Sequence, residues 1–145
     1  LNFVNEKGEK ERPVMIHHAT LGSIERFLSV FIEHTAGWFP FWCAPEQVRI
    51  VTVNDTVMEY VSRIKDILSE ITLEKPLRHN DLRFSVDQSD ESLGKKIRRA
   101  TTMKIPVIIV VGPKDVEAQT VSLRLKDTEK TIGLVELAKF LENLK

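Results

Sequence analysis

Residues 12–27 read RPVMIHHATLGSIERF, and we interpret the rest of the chain around this run. It opens with a short apolar stretch, Val14–Ile16, whose composition favours a buried strand. After Gly22 the apolar residues recur at the spacing of an amphipathic helix, namely at Ile24, Phe27, Leu28 and Phe31. Ser23 is a suitable N-cap, since its hydroxyl can accept a bond from a free N–H of the first turn. The run therefore predicts a strand, a turn and a helix that extends to about Thr35.

Arg26 is an unusual residue for the first turn of a helix. A cation there faces the positive end of the helix dipole, which costs about 0.3–1 kcal/mol. The placement is explained if Arg26 and the free N–H groups share an anion, because a helix N-terminus favours phosphate. The alternative is a solvated surface arginine, and spacing alone favours that alternative.

The segment after this helix is rich in aromatic residues and prolines. Ala36-Gly37 suits a left-handed C-cap, and residues 38–45 read WFPFWCAP. One interpretation is a stacking surface for single-stranded nucleic acid. The other is an apolar hinge that packs one domain against another. We favour the hinge, since prolines impose extended geometry and no basic residues alternate with the aromatic ones.

Strands and helices alternate from residue 47 onward. Apolar and β-branched runs predict strands at 47–52, 82–86, 105–112 and 120–125. Capping and spacing predict helices at about 57–70, after Gly94 and from Gly133, with a loop at 72–81 and a turn at 114–117. The third strand is apolar throughout, which indicates a central strand that is covered on both faces. The order predicts an α/β domain with a mixed sheet of about five strands and flanking helices joined by right-handed crossovers.

The clearest basic cluster lies at the start of the helix after Gly94. Its cations are Lys95, Lys96, Arg98 and Arg99, followed by Lys104, with no acidic residue among them. Such a cluster positions phosphates and gives a salt-dependent affinity. A solvated helix face is the alternative, and the residues alone do not separate the two.

Composition limits the function classes. Lys+Arg and Asp+Glu both number 21, so net charge attracts no polyanion and nucleic-acid binding would need a local patch. The single cysteine, Cys43, excludes an intrachain disulfide and favours a reducing cytoplasm. No apolar run approaches the length of a membrane span, and no signal-peptide pattern is present. Because the chain begins with Leu1, we expect it to be a piece of a longer protein.

The first residues carry a family resemblance. Val14–His17 followed by Leu21–Phe27 resembles motif 3 of the class II aminoacyl-tRNA synthetases, in the form found in the threonyl enzymes. The similarity continues, more loosely towards the C-terminus, through Ala36-Gly37, Phe39-Pro40, Trp42 and Ala44-Pro45. It implies a C-terminal piece of the class II catalytic domain at 1–36, a linker at 37–45 and an anticodon-binding domain at 46–145.

The resemblance also implies the chemistry of a full-length parent, which would ligate threonine to tRNA(Thr) using ATP with Mg. Arg26, with Ser23 beside it, would contact the ATP or adenylate. His17 would be one of three protein ligands, two His and one Cys, of a zinc ion that recognises threonine. The chain lacks motifs 1 and 2 and the other zinc ligands, so we expect it to be inactive alone and to hold no cofactor. The parent is expected to be a cytoplasmic homodimer with no membrane contact.

Three residues occupy the family's anticodon-reading positions, namely Asp90, Asp115 and Arg124. A carboxylate can accept the N–H donors of an unstacked guanine, and arginine can donate a paired fork to acceptor atoms of a base. The family usually has Asn and Glu where this chain has Asp90 and Asp115, and an ionised Asp cannot donate. The basic cluster at 95–99 would contact the tRNA backbone. Two alternatives are a free-standing RNA- or protein-binding module of the same type and a fragment of a prolyl-type enzyme.

Overall fold

The N-terminal segment forms a small hairpin in the computed structural model, which describes residues 1–71 and 82–144. Strand β1 (Phe3–Val4) pairs antiparallel with β2 (Lys10–Glu11). The prediction of a strand at Val14–Ile16 is wrong, because this segment pairs with no described strand and Val14 is 91% exposed. A strand needs a neighbouring strand to pair its N–H and C=O groups, but the two strands of the nearby hairpin pair with each other. The predicted loop at 72–81 lies outside the described residues.

Helix α1 (Ile24–Thr35) confirms the helix predicted after Gly22. The Ser23 hydroxyl accepts from the N–H of Arg26 at 3.4 Å, as an N-cap does. At the other end Ala36 adopts the left-handed conformation of a C-cap, with φ of 50°. No residue of α1 is buried. Its apolar stripe therefore remains available to a covering surface.

The linker is fixed to the domain that follows it. Phe39 stacks on Phe31 of α1 with ring centroids 5.2 Å apart. Phe41, in a short 3-10 helix (Phe41–Cys43), is buried in the main core. The Gln47 amide donates to the Phe41 carbonyl at 2.9 Å, and the Arg83 guanidinium donates to the Ala44 carbonyl at 2.9 Å. The linker thus packs on the domain that follows it, and the hinge interpretation stays a prediction.

A mixed five-stranded sheet forms the centre of the domain, as predicted. Its strands are β3 (Val48–Thr52), β4 (Phe84–Asp87), β5 (Val107–Val111), β6 (Thr120–Arg124) and β7 (Glu129–Gly133). They lie in the order β4-β3-β5-β6-β7, with β3 parallel to β4 and β5, and with β5, β6 and β7 successively antiparallel. The strand predicted from the run at 105–112 is therefore the central one.

Helices cover both faces of this sheet. They are α2 (Met58–Glu70), α3 (Leu93–Thr102), α4 (Pro113–Ala118) and α5 (Leu137–Glu142). Side chains of α2 and α5 pack on one face in the main core, whereas Ala100 of α3 packs on the other face with Val51, Ile105 and Ile108. Short 3-10 helices, Asp55–Val57 and Leu134–Glu136, precede α2 and α5. Within the described ranges no helix combines the length and apolar character needed to cross a membrane.

One local prediction differs from the structure, and one strand had no predicted position. The predicted turn at 114–117 is the short helix α4, which Pro113 at its first position and the Asp115 side chain favour. The strand β7 had no predicted position, because its residues 129–131 are polar and exposed, as is common for an edge strand. Gly133 is both the last residue of β7 and the N-cap of the 3-10 helix Leu134–Glu136, which leads into α5, so the helical start predicted at Gly133 is confirmed.

Candidate nucleic-acid interface

Strand β6 places Ser122 and Arg124 on one face of the sheet. Alternate residues point to opposite faces, and Val121 and Leu123 are buried on the core side. Ser122 and Arg124 are half-buried on the other side, and their partners on β7, Thr131 and Glu129, are exposed. This face of β6 and β7 is therefore open to a ligand.

Asp115 reaches the same face from the start of α4. Its Oδ2 accepts from the Gly112 N–H at 2.9 Å, and its Oδ1 accepts from the Ser122 hydroxyl at 3.0 Å. Ser122 and Arg124 are two residues apart, or roughly 7 Å along the strand. The structure thus brings Asp115 and Arg124 to one open face, with Ser122 between them.

Arg124 is held by a weak partner. It forms an ion pair with Glu129 on β7, and the side chains of Arg124 and Glu129 are 39% and 68% exposed. Exposed pairs contribute about 0–1 kcal/mol. A ligand can therefore replace Glu129 at little cost.

Asp90 lies in the loop between β4 and α3, and it is exposed. This loop begins at the carboxyl end of β4, which runs parallel to β3 and β5. Asp115 follows the carboxyl end of β5, so Asp90 and Asp115 lie at the same edge of the sheet. Arg124 pairs with Ile108 near the other end of β5. The three residues are therefore spread along one path and do not form a single cluster.

The loop that carries Asp90 is braced by Arg99 of α3. Its guanidinium donates to Asp87 and to Glu91 at 2.5 Å each, and to the Ser89 hydroxyl at 2.8 Å. Asp87 is buried. Burial alone would raise the pKa of Asp87, but hydrogen bonds from Ser89 and Arg99 outweigh it and lower the pKa from 3.8 to about 2. The hydrogen bond to Asp87 likewise raises the pKa of Arg99. Both groups are charged at neutral pH.

The predicted basic cluster does not form one free surface. Lys96 is buried, with its ammonium 3.5 Å from the Thr52 carbonyl, and Arg99 is engaged by acidic partners. Lys95 and Arg98 are exposed. The reason is that α3 lays one side against β3 and turns the other to solvent. Among the cations at 95–99, Lys95 and Arg98 are the ones open to a phosphate in this conformation.

A sequence profile described as the anticodon binding domain matches residues 47–145 of this chain. The chain belongs to this family. The match covers the mixed sheet, all its helices and the open face of β6 and β7.

Curated proteins similar to this chain are threonine–tRNA ligases. One from Gloeobacter violaceus is 46% identical over 134 residues, which is 92% of this chain and 20% of that protein. One from Clostridium botulinum strain Hall is 36% identical over 145 residues, which is 100% of this chain and 21% of that protein. The chain thus spans about a fifth of the length of these relatives.

Solved structures share the fold. The RNA binding domain of threonyl-tRNA synthetase from Cryptosporidium parvum Iowa II matches with a TM-score of 0.75 and 28% identity, covering 96% of this chain and 33% of that one. Prolyl-tRNA synthetase from Cryptosporidium parvum matches with a TM-score of 0.72 and 22% identity, covering 99% of this chain and 30% of that one. The second likeness shows the fold alone.

The residues predicted to serve a catalytic domain lie before the anticodon-binding domain. The Ser23 hydroxyl donates to the Glu25 carboxylate at 2.5 Å, and this bond lowers the pKa of Glu25. Arg26 is exposed in the first turn of α1, and His17 is exposed in the irregular segment before it. Among residues 1–71 and 82–144 no three potential metal ligands come together. The described residues alone therefore do not complete a metal site at His17.

Sequence reasoning missed several residues of the anticodon-binding domain. Ser122 could have been found, because it lies two positions before Arg124 and so shares its face of the strand. No local sequence pattern predicts that Lys104 and Lys126 lie beside Trp38. Their ammonium groups lie 5.1 Å and 5.8 Å from the centroid of the Trp38 ring. The fold therefore supplies the basic residues that the aromatic linker lacks in sequence.

Proposed function

We propose that this chain is the C-terminal part of a threonyl-tRNA synthetase and that it recognises the anticodon of tRNA(Thr). The names of its relatives and its family support the class of ligand. The observation that carries the proposal is the placement of an acceptor, Asp115, and a donor, Arg124, on one open face of the sheet. That pairing matches the edge of an unstacked base.

Asp115 is oriented before any RNA binds. Each of its carboxylate oxygens accepts one hydrogen bond, from Gly112 or Ser122, and each retains a free lone pair. Such preorganisation reduces the entropy that is lost on binding. In the proposed complex this carboxylate accepts from the N–H groups of the second anticodon base, guanine. Arg124 exchanges its exposed partner Glu129 for an acceptor on the same nucleotide.

Asp90 is proposed to face the third anticodon base, uracil. An ionised carboxylate only accepts hydrogen bonds, so Asp90 would take the N–H of that base. The brace formed by Arg99 and Asp87 would hold its loop in place. Lys95 and Arg98, both exposed on α3, would contact backbone phosphates.

The proposed parent joins threonine to this tRNA with ATP and Mg, as a cytoplasmic homodimer. Arg26 at the head of α1, next to Ser23, would place a fixed positive charge near the bound nucleotide. His17 would be one ligand of a threonine-recognising zinc ion, whose remaining ligands must come from outside the described residues. This chain alone is expected to show no ligase activity.

The proposal is tested by binding of an anticodon stem-loop RNA with guanine second and uracil third. Replacing Asp115→Asn keeps the shape of the side chain but removes the charge. We expect affinity to fall about 5- to 150-fold, the range for loss of one good paired base contact. The variant should also lose most of its preference for guanine over adenine. Melting by circular dichroism checks that it is folded.

Asp66→Asn is the matched control, because Asp66 is exposed on α2, which packs on the other face of the sheet. It should bind the RNA as the unchanged protein does. Wild-type affinity and wild-type guanine preference in the Asp115 variant would show that this face does not read the anticodon.

A further inference from the structure

Trp38, Lys104 and Lys126 meet at the end of the open sheet face beyond Arg124, and we name them the Trp38 cluster. The three residues come from the linker, from the end of α3 and from the residues after β6. Both ammonium groups lie within 6 Å of the indole ring, at 5.1 Å and 5.8 Å. An aromatic ring beside two cations is the combination that binds single-stranded nucleic acid.

An open cleft joins the Trp38 cluster to Arg124. Its volume is about 330 Å³, which is at the small end of the range for ligand clefts. Trp38, Arg124 and Lys126 line it, together with Ile105 and Ile108 of the α3 side of the sheet. Arg124 lies in the cleft and also on the sheet face that carries Asp115, so the cleft continues that face.

The order of groups along the sheet gives the RNA a direction. Asp90 and Asp115 lie at the carboxyl edge of the parallel strands, and Arg124 lies towards the opposite edge with the Trp38 cluster next to it. In the proposed function Asp90 meets the third anticodon base and Asp115 meets the second. A chain that continues in the same sense brings the nucleotide on the 5′ side of the guanine to the cleft.

We propose that the cleft beside Trp38 binds this 5′ nucleotide, with its base stacked on the indole and its phosphates near Lys104 and Lys126. The inference rests on the proposed function. Stacking accepts any base, since every base has a π-face. This position is thus bound without base preference, whereas the guanine next to it is read by hydrogen bonds. The two lysines leave the ring for the phosphates at low cost, because exposed cation–π contacts are weak.

The test uses the 145-residue chain with Trp42→Phe, which leaves Trp38 as its one tryptophan. The probes are the anticodon stem-loop RNA and a matched RNA with an abasic site on the 5′ side of the guanine. Intact RNA should quench the Trp38 fluorescence, and the abasic RNA should not. Removal of the base should weaken binding about 5- to 150-fold, the range for one stacked base. The four natural bases at this position should bind alike.

Trp38→Ala should weaken the binding of intact RNA by the same factor and leave the binding of the abasic RNA unchanged. Trp38→Phe keeps a stacking ring and should restore most of the affinity, which separates stacking from damage to the linker. Replacing Lys104 and Lys126 by Ala together should lower the salt slope by about 1.4, since each single-strand phosphate contact contributes about 0.7.

Equal affinity for intact and abasic RNA, with guanine-to-adenine exchange still costly, would overturn this inference and leave the proposed function standing. No binding of either RNA would overturn the proposed function, and this inference with it.

Discussion

The folded structure stabilises the ionised form of Asp87 by contacts at the loop before α3. Its lowered pKa, about 2 against 3.8, means that folding is favoured when it is ionised. The contribution is therefore fully present above about pH 4 and is lost as pH falls through 2. A shift of this size corresponds to about 2 kcal/mol.

We expect the free energy of unfolding to show this loss between about pH 4 and pH 2, measured by urea unfolding at a series of pH values. Asp87→Asn should be less stable at pH 7, because Arg99 and Ser89 lose a charged partner. The free energy of unfolding of this variant should also lack the part of the acid-induced decrease that Asp87 contributes. Asp90→Asn, an exposed neighbour in the same loop, is the control and should keep it. Identical pH profiles for the Asp87 variant and the unchanged protein would contradict the role of this carboxylate.

Arg98 and Arg99 are adjacent in sequence but differ in their partners. Arg98 is exposed, whereas Arg99 is engaged by Asp87 and Glu91. Arg98→Ala should therefore lower the salt slope of RNA binding by about 0.7–0.9, the amount expected for one phosphate contact. Arg99→Ala should leave the slope unchanged and weaken binding through the loop that carries Asp90. Titration of the stem-loop RNA between 50 and 200 mM salt, roughly the range in which such contacts are resolved, measures both. An equal loss of slope in the two variants would restore Arg99 as a backbone contact.

Single residues were predictable where the signal is local. The N-cap Ser23 follows from residue type and spacing, and the structure confirms it. The roles assigned to Asp115 and Arg124 rest on the family resemblance and stay predictions. The burial of Lys96 was not predictable, because it depends on which strand α3 packs against. The Trp38 cluster joins positions 38, 104 and 126, which no local pattern links.

Elements were predictable in proportion to their apolar periodicity. The helix α1 and the central strand β5 both have strong patterns and form as expected. Residues 14–16 have a strand-like composition but no described partner, and composition alone cannot supply one. The strand β7 forms at an edge with polar residues, so the pairing with β6 decides its structure.

The helix α1 depends mainly on its own caps, because none of its residues is buried. A 12-residue helix with no buried residue is marginal in water, and the stack of Phe31 on Phe39 adds only a partly exposed contact. Ser23→Ala should cost about 0.5–2 kcal/mol of helix stability. Amide hydrogen exchange of residues 26–29 should therefore accelerate, while the unfolding midpoint of the domain from residue 46 onward stays the same. Ser29→Ala, at an exposed mid-helix position, is the control and should not accelerate exchange. A lowered domain midpoint in the Ser23 variant would show that α1 is coupled to the sheet.

At the scale of the whole molecule, the alternation of strands and helices predicted the α/β class and a mixed sheet of about five strands, both of which the structure confirms. The strand order was not predictable, since any of several orders buries the same apolar residues. The order matters for the proposed site, because placing β6 next to β5 aligns Asp115, Ser122 and Arg124 on one open face. The match to the anticodon binding domain profile covers the whole of this sheet, and the proposal assigns RNA binding to this face of it.

The most direct measurement is the affinity of the whole chain for the anticodon stem-loop RNA when its second base, guanine, is replaced by adenine. Adenine lacks the N1–H and N2–H₂ donors of guanine, from which Asp115 is proposed to accept hydrogen bonds. We expect the dissociation constant to rise about 5- to 150-fold, as for the loss of one paired base contact. An unchanged dissociation constant would contradict the assignment of this sheet face as the anticodon site.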